Sequence, residues 1–102
     1  MAKDRISERY MTFEDATVEV YGKSSDFVSI MKNLSKTGAM FQAKDSRPIV
    51  RKGDFVRITI QLEQLSRTHT LNGQVVWESG SEFGVNFITE QQLFSRMMQK
   101  PA

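Results

Sequence analysis

The constraint that bears hardest on this chain is a two-residue hydrophobic period. Between Phe55 and Leu62, the side chains Val56, Ile58 and Ile60 alternate with Arg57, Thr59 and Gln61, the pattern of a strand with one buried and one wet face. The same period sets Ala16, Val18 and Val20 against Thr17, Glu19 and Tyr21, and Leu71, Gly73, Val75 and Trp77 against Asn72, Gln74 and Glu78. Phe83, Val85 and Phe87 carry it once more, and apolar runs at residues 27–31 and 39–43 bring the expected strands to six. Turn chemistry separates them: Gly22 to Asp26, Asn33 to Gly38, a loop holding Pro48 and Gly53, and Ser79-Gly80-Ser81. Six short strands joined by turns predict a mainly β fold, a small six-stranded antiparallel barrel, because an open sheet of this size leaves unprotected edges. Strict alternation places Trp77 in the core with Leu71 and Val75.

The period changes at Thr89. Thr89-Glu90-Gln91-Gln92 has the form of a capping box, in which the Thr hydroxyl and the Gln side chain satisfy free N–H groups at a helix start. Leu93, Phe94, Met97 and Met98 then recur at helical spacing. A C-terminal α-helix is therefore expected to lie against the barrel or plug one end of it, with this stripe as core, and to stop by Lys100 ahead of Pro101. Residues 1–13 are polar and lack a clear period, so they read as a flexible N-terminal arm, with residues 14–102 forming the barrel and helix. A chain of 102 residues is one domain by size.

Several function classes are disfavoured. There is no cysteine, hence no disulfide, thiolate nucleophile or Cys-based metal site. The single His69 has no histidine or carboxylate at ligand spacing, no carboxylate pair stands out as acid and base, and no glycine-rich phosphate loop precedes the helix. The expectation is a protein that is not an enzyme, with no metal and no cofactor. The net charge is +2, with Lys/Arg and Asp/Glu interleaved along most of the chain, which argues against binding a nucleic acid polymer. The denser basic stretch from Lys44 to Arg57 reads as a solvated loop. No run approaches the roughly 18 apolar residues of a membrane span, so no membrane insertion is expected. The first residues lead into no apolar stretch of signal-peptide type, and the expected location is cytoplasmic.

A binding module remains, and its candidate site is the polar turn Asn33-Leu34-Ser35-Lys36-Thr37-Gly38. Asn33 and Ser35, two apart on an extended chain, are expected on one face, an amide beside a hydroxyl. Gly38 is the position for a positive φ or for close approach to the backbone. Upstream, Arg5 and Arg9 form an Arg-x-x-x-Arg pair in the arm. A guanidinium can hold a phosphate through two charge-assisted hydrogen bonds, read the O6/N7 edge of guanine, or stack on a base.

An Arg-x-x-x-Arg pair followed two strands later by Asn-x-Ser-x-x-Gly, on a six-stranded barrel with a C-terminal helix, resembles the PilZ domain. That family's motifs are RxxxR and [D/N]x[S/A]xxG. Gly53-Asp54, Gly73-Gln74-Val75-Val76-Trp77 and Phe83-Gly84-Val85-Asn86-Phe87 are similar to its downstream pattern. Arg47 and Arg51 make a second Arg-x-x-x-Arg, but in a loop where the family has no site.

The resemblance implies a bacterial receptor for the second messenger cyclic di-GMP. Arg5 and Arg9 would close on the ligand, Asn33 and Ser35 would contact a guanine from the barrel surface, and Gly38 would shape the turn; Trp77 could stack near the ligand, but strand alternation favours the core for it. Asn33 stands where many members have Asp, and Asp4 where some carry an extra arginine that holds an intercalated ligand dimer, which favours one ligand per protein. The expected function is a stand-alone receptor that relays the ligand to an effector protein. The alternative is a PilZ-type protein-interaction module in motility or pilus function that does not bind the nucleotide.

Overall fold

The computed structural model describes residues 10–23, 26–44, 50–62 and 67–99. Six strands, β1 (Tyr10–Val20), β2 (Asp26–Leu34), β3 (Gly38–Ala43), β4 (Phe55–Leu62), β5 (Arg67–Ser79) and β6 (Glu82–Ile88), precede one helix, α1 (Glu90–Gln99). The strands close into a barrel in the order β1-β2-β3-β6-β5-β4, with every pair antiparallel. Pairing of β1 with β4, Ala16 opposite Ile60, makes the closure and so removes the edges an open sheet would leave.

The alternating side chains fill the interior. Val18, Phe41, Val56, Ile58 and Phe83 are fully buried. Phe41 stacks on Phe83 at 5.4 Å between ring centroids, and Phe27 meets Phe83 edge-on at 5.9 Å. The loop before β4 is sewn to β5: the Gly53 N–H donates to the Val75 carbonyl at 2.7 Å, and the Val75 N–H to the Asp54 carbonyl at 2.8 Å. Gly53 supplies the φ of +98° that this turn needs.

Three features depart from the alternation. β1 begins at Tyr10, ahead of the pattern's start at Asp15, because its register with β2 shifts between Met11 and Glu14 and a bulge interrupts the period. Residues 1–9 of the arm lie outside the described residues. β2 continues through Asn33 to Leu34, which narrows the polar turn to residues 35–37.

The third departure is the helix. Its capping box forms as expected, with the Thr89 N–H donating to Gln92 Oε1 at 2.9 Å and the Gln92 N–H donating to Thr89 Oγ1 at 3.0 Å. Its apolar stripe is not core. Leu93 is buried, but Phe94 is 68% exposed, Met97 40% and Met98 69%. The barrel interior is already filled by strand side chains, so a short helix has only the outer surface to rest on. It is held there in part by Arg96 Nη1 donating to Gln74 Oε1 at 2.8 Å. No helix among the described residues is long and apolar enough to cross a membrane.

Candidate ligand-binding site

Strand register builds a site on the outer face of the barrel. One cross-strand row runs Asn33 on β2, Met40 on β3, Gly84 on β6 and Trp77 on β5. A second row, two residues along, runs Gly38 on β3, Asn86 on β6 and Gln74 on β5. Ala39, Val85 and Val75 lie between the two rows and are buried in the core.

Each row contains a glycine, and both are needed for shape. A Cβ on Gly84 would run into the Trp77 indole, so the ring lies over that backbone. A Cβ on Gly38 would collide with the Val85 carbonyl oxygen. Gly38 thus serves close approach; the positive φ values among the described glycines belong to Gly22, Gly53 and Gly80.

The result is a cavity of about 320 Å³ whose walls include Asn33, Thr37, Gly38, Met40, Trp77 and Asn86. None of the described residues that line it is charged. Two amides, a hydroxyl, a thioether and an indole suit a flat polar ring rather than a bare anion.

Trp77 corrects the sequence reading. The register between β5 and β6 shifts between Val75, opposite Val85, and Trp77, opposite Gly84. Val76 is the extra residue of a bulge, so Trp77 leaves the face of Val75 and is 39% exposed at the cavity wall. The two consecutive valines, Val75-Val76, are the trace of this in the sequence, since they already break the apolar–polar alternation. Asn86 was missed for a different reason: an outward polar residue on a strand carries no sign of what it faces.

Among the motif residues, Asn33 and Gly38 meet at the cavity, joined by Thr37. Asn33 Nδ2 donates to Met40 Sδ at 3.5 Å across the β2–β3 pair. Ser35 does not stand beside Asn33. It is 6% exposed, and its Oγ accepts from the N–H groups of Thr37 and Gly38, each at 3.3 Å. The Ser35 hydroxyl also lies 3.3 Å from the Gly38 carbonyl, which accepts the Ser35 N–H at 2.9 Å. The strand ends at Leu34, so the same-face rule for residues two apart stops there and the hydroxyl turns into the loop. Ser35 therefore holds the turn that presents Thr37 and Gly38.

Arg5 and Arg9 lie outside the described residues, as does Arg47 of the second arginine pair. Arg9 is bonded to Tyr10, whose cross-strand partner is Leu34 at the lip of the motif turn.

The family model of the PilZ domain matches residues 3–99. No curated protein matches the chain in sequence. Among solved structures, the PilZ domain of CeSA from a cellulose-synthesizing bacterium superposes with a TM-score of 0.69 at 17% identity, over 89% of this chain and 92% of that one. The Bacillus subtilis inhibitor of motility, MotI or DgrA, superposes with a TM-score of 0.63 at 14% identity, over 99% of this chain and 55% of that one. At such identities the superpositions speak for the fold, and the barrel with its C-terminal helix is the fold they share with this protein. With the family model matched from residue 3 to residue 99, the chain belongs to the PilZ domain family.

Proposed function

We propose that this PilZ domain is a cytoplasmic receptor for cyclic di-GMP that passes the signal to an effector protein. The observation that carries the reading is the cavity where Asn33 and Gly38 of the motif meet Trp77. Cyclic di-GMP has two guanines and two phosphates, and the uncharged lining with its indole is suited to a guanine. The phosphates fall to Arg5 and Arg9, tethered through Tyr10 beside the turn. A hydrogen bond to a charged group contributes about 1.5–3 kcal/mol, so loss of one arginine lowers affinity roughly tenfold or more. Ser35 acts from beneath by holding the turn, and its removal weakens binding through Gly38. The ligand is a signal and not a substrate, in keeping with PilZ domains as regulatory modules rather than enzymes.

The second reading is an interaction module that does not use the nucleotide, acting in motility or at a pilus. The exposed Phe94, Met97 and Met98 on α1 favour a protein partner under either reading. One similar structure is an inhibitor of motility, which is compatible with both.

Calorimetric titration of cyclic di-GMP into the purified protein, with Arg9→Ala, Trp77→Ala and a GMP control, separates the two. Saturable binding that both substitutions weaken at least tenfold is the result expected of the receptor. No heat at tens of micromolar ligand would overturn it in favour of the interaction module.

A further inference from the structure

The motif residues account for one side of the cavity only. Asn33, Thr37 and Gly38 come from β2, the β2–β3 turn and the start of β3, whereas the far wall comes from β5 and β6. On that wall Gly84 has no side chain, Val85 is buried and the half-buried Val76 offers only methyl groups, so Trp77 and Asn86 are the side chains there that can stack on a bound ring or hydrogen-bond its edge.

Asn86 is exposed and sits directly across from Gly38 on one side and Gln74 on the other. It lies on the same face of β6 as Gly84 and two residues away, about 7 Å along an extended strand from the backbone that the indole covers. A flat base resting against the indole over Gly84 therefore turns an edge towards Asn86. The other amide in this row, Gln74, is tied into the scaffold: its Nε2 donates to the Gly53 carbonyl at 3.2 Å and its Oε1 accepts from Arg96. A side-chain amide has one acceptor oxygen and two N–H donors, which complements the mixed acceptors and donors along the edges of guanine.

We propose that Asn86 is a base-binding residue of this protein, hydrogen-bonding the edge of the guanine that packs against Trp77, across the cavity from the motif. The proposal rests on the reading of the cavity as the cyclic di-GMP site and adds to it a contact that neither motif contains.

The test is a titration of cyclic di-GMP into wild type, Asn86→Ala, Trp77→Ala and the double variant, with thermal melts of each. The side-chain amide resonances of Asn86, identified as the pair missing from the spectrum of Asn86→Ala, are followed by NMR in the wild type. Expected are a roughly tenfold loss of affinity in Asn86→Ala with an unchanged melting temperature, and a shift of the Asn86 side-chain amide pair on saturation. The double variant should lose less than the product of the two single losses, because both side chains hold one base. Wild-type binding with Asn86→Ala within twofold of it, or with the amide pair unmoved, overturns the role of Asn86 and leaves the receptor reading intact. Absence of wild-type binding overturns both.

Discussion

Gly84 has no side chain, and the cavity depends on that absence. The indole of Trp77 occupies the volume a Cβ would take, so Gly84→Ala must push the ring away from the sheet. The residue is also in a paired strand, where the backbone cannot easily yield. We predict that Gly84→Ala lowers cyclic di-GMP affinity by tenfold or more and shifts the fluorescence emission of Trp77. Trp77 is the sole tryptophan, so the emission reports this one ring. A shifted spectrum together with wild-type affinity would mean that the ring position does not matter to the ligand, and an unchanged spectrum would mean that the added methyl group does not displace the ring. Ser35 illustrates the opposite case, a polar side chain spent on holding the loop. Its sequence position two residues after Asn33 suggested a shared surface, but that inference needs both residues to be extended, and only Asn33 is.

At the scale of elements, α1 separates local signals from packing. The capping box is a local arrangement of Thr89 and Gln92 and was legible as written. The apolar stripe was equally legible as a stripe, yet nothing in it states whether a surface is available to cover it. Leu93 is 7% exposed and Met98 69%. Leu93→Ala should therefore destabilise the protein by about 2 kcal/mol or more, whereas Met98→Ala should stay within about 0.5 kcal/mol. Urea unfolding of the two variants checks this, and equal losses would place the whole stripe in the core. The strands divide in the same way. From Val56 to Gln61 β4 keeps its alternation because it is free of register shifts in both of its pairs, although Phe55 at its start is buried too, while β1 and β5 contain bulges that displace the pattern part-way along.

At the scale of the whole molecule, the strand order sets β2, β3, β6 and β5 side by side in one continuous outer surface. The cavity is a property of that surface, assembled from residues as far apart in the chain as Asn33 and Asn86. The antiparallel pairing of β1 with β2 leaves the start of β1 beside the motif turn, Tyr10 opposite Leu34. On the receptor reading, Arg5 and Arg9 are joined to the barrel at that point and would contact the ligand from there. Ligand should therefore slow amide hydrogen exchange at residues 3–11 while leaving β4 unaffected. Exchange at residues 3–11 that is indifferent to saturating cyclic di-GMP would separate the arginines from the ligand.

The strand count, the order of the turns and the helix cap were all readable in the amino-acid sequence, because each is set by neighbours a few positions away. Hydrophobic period, turn composition and capping depend on local sterics and local hydrogen bonds. What the sequence did not disclose about the cavity was decided by register between strands. The bulge at Val76 turns Trp77 from core to cavity wall, and pairing of Gly84 with Met40 and Trp77 sets the indole opposite Asn33. It also sets Asn86 opposite Gly38. Register is fixed by how the strands pack around the shared interior, and that interior exists only once the barrel has closed.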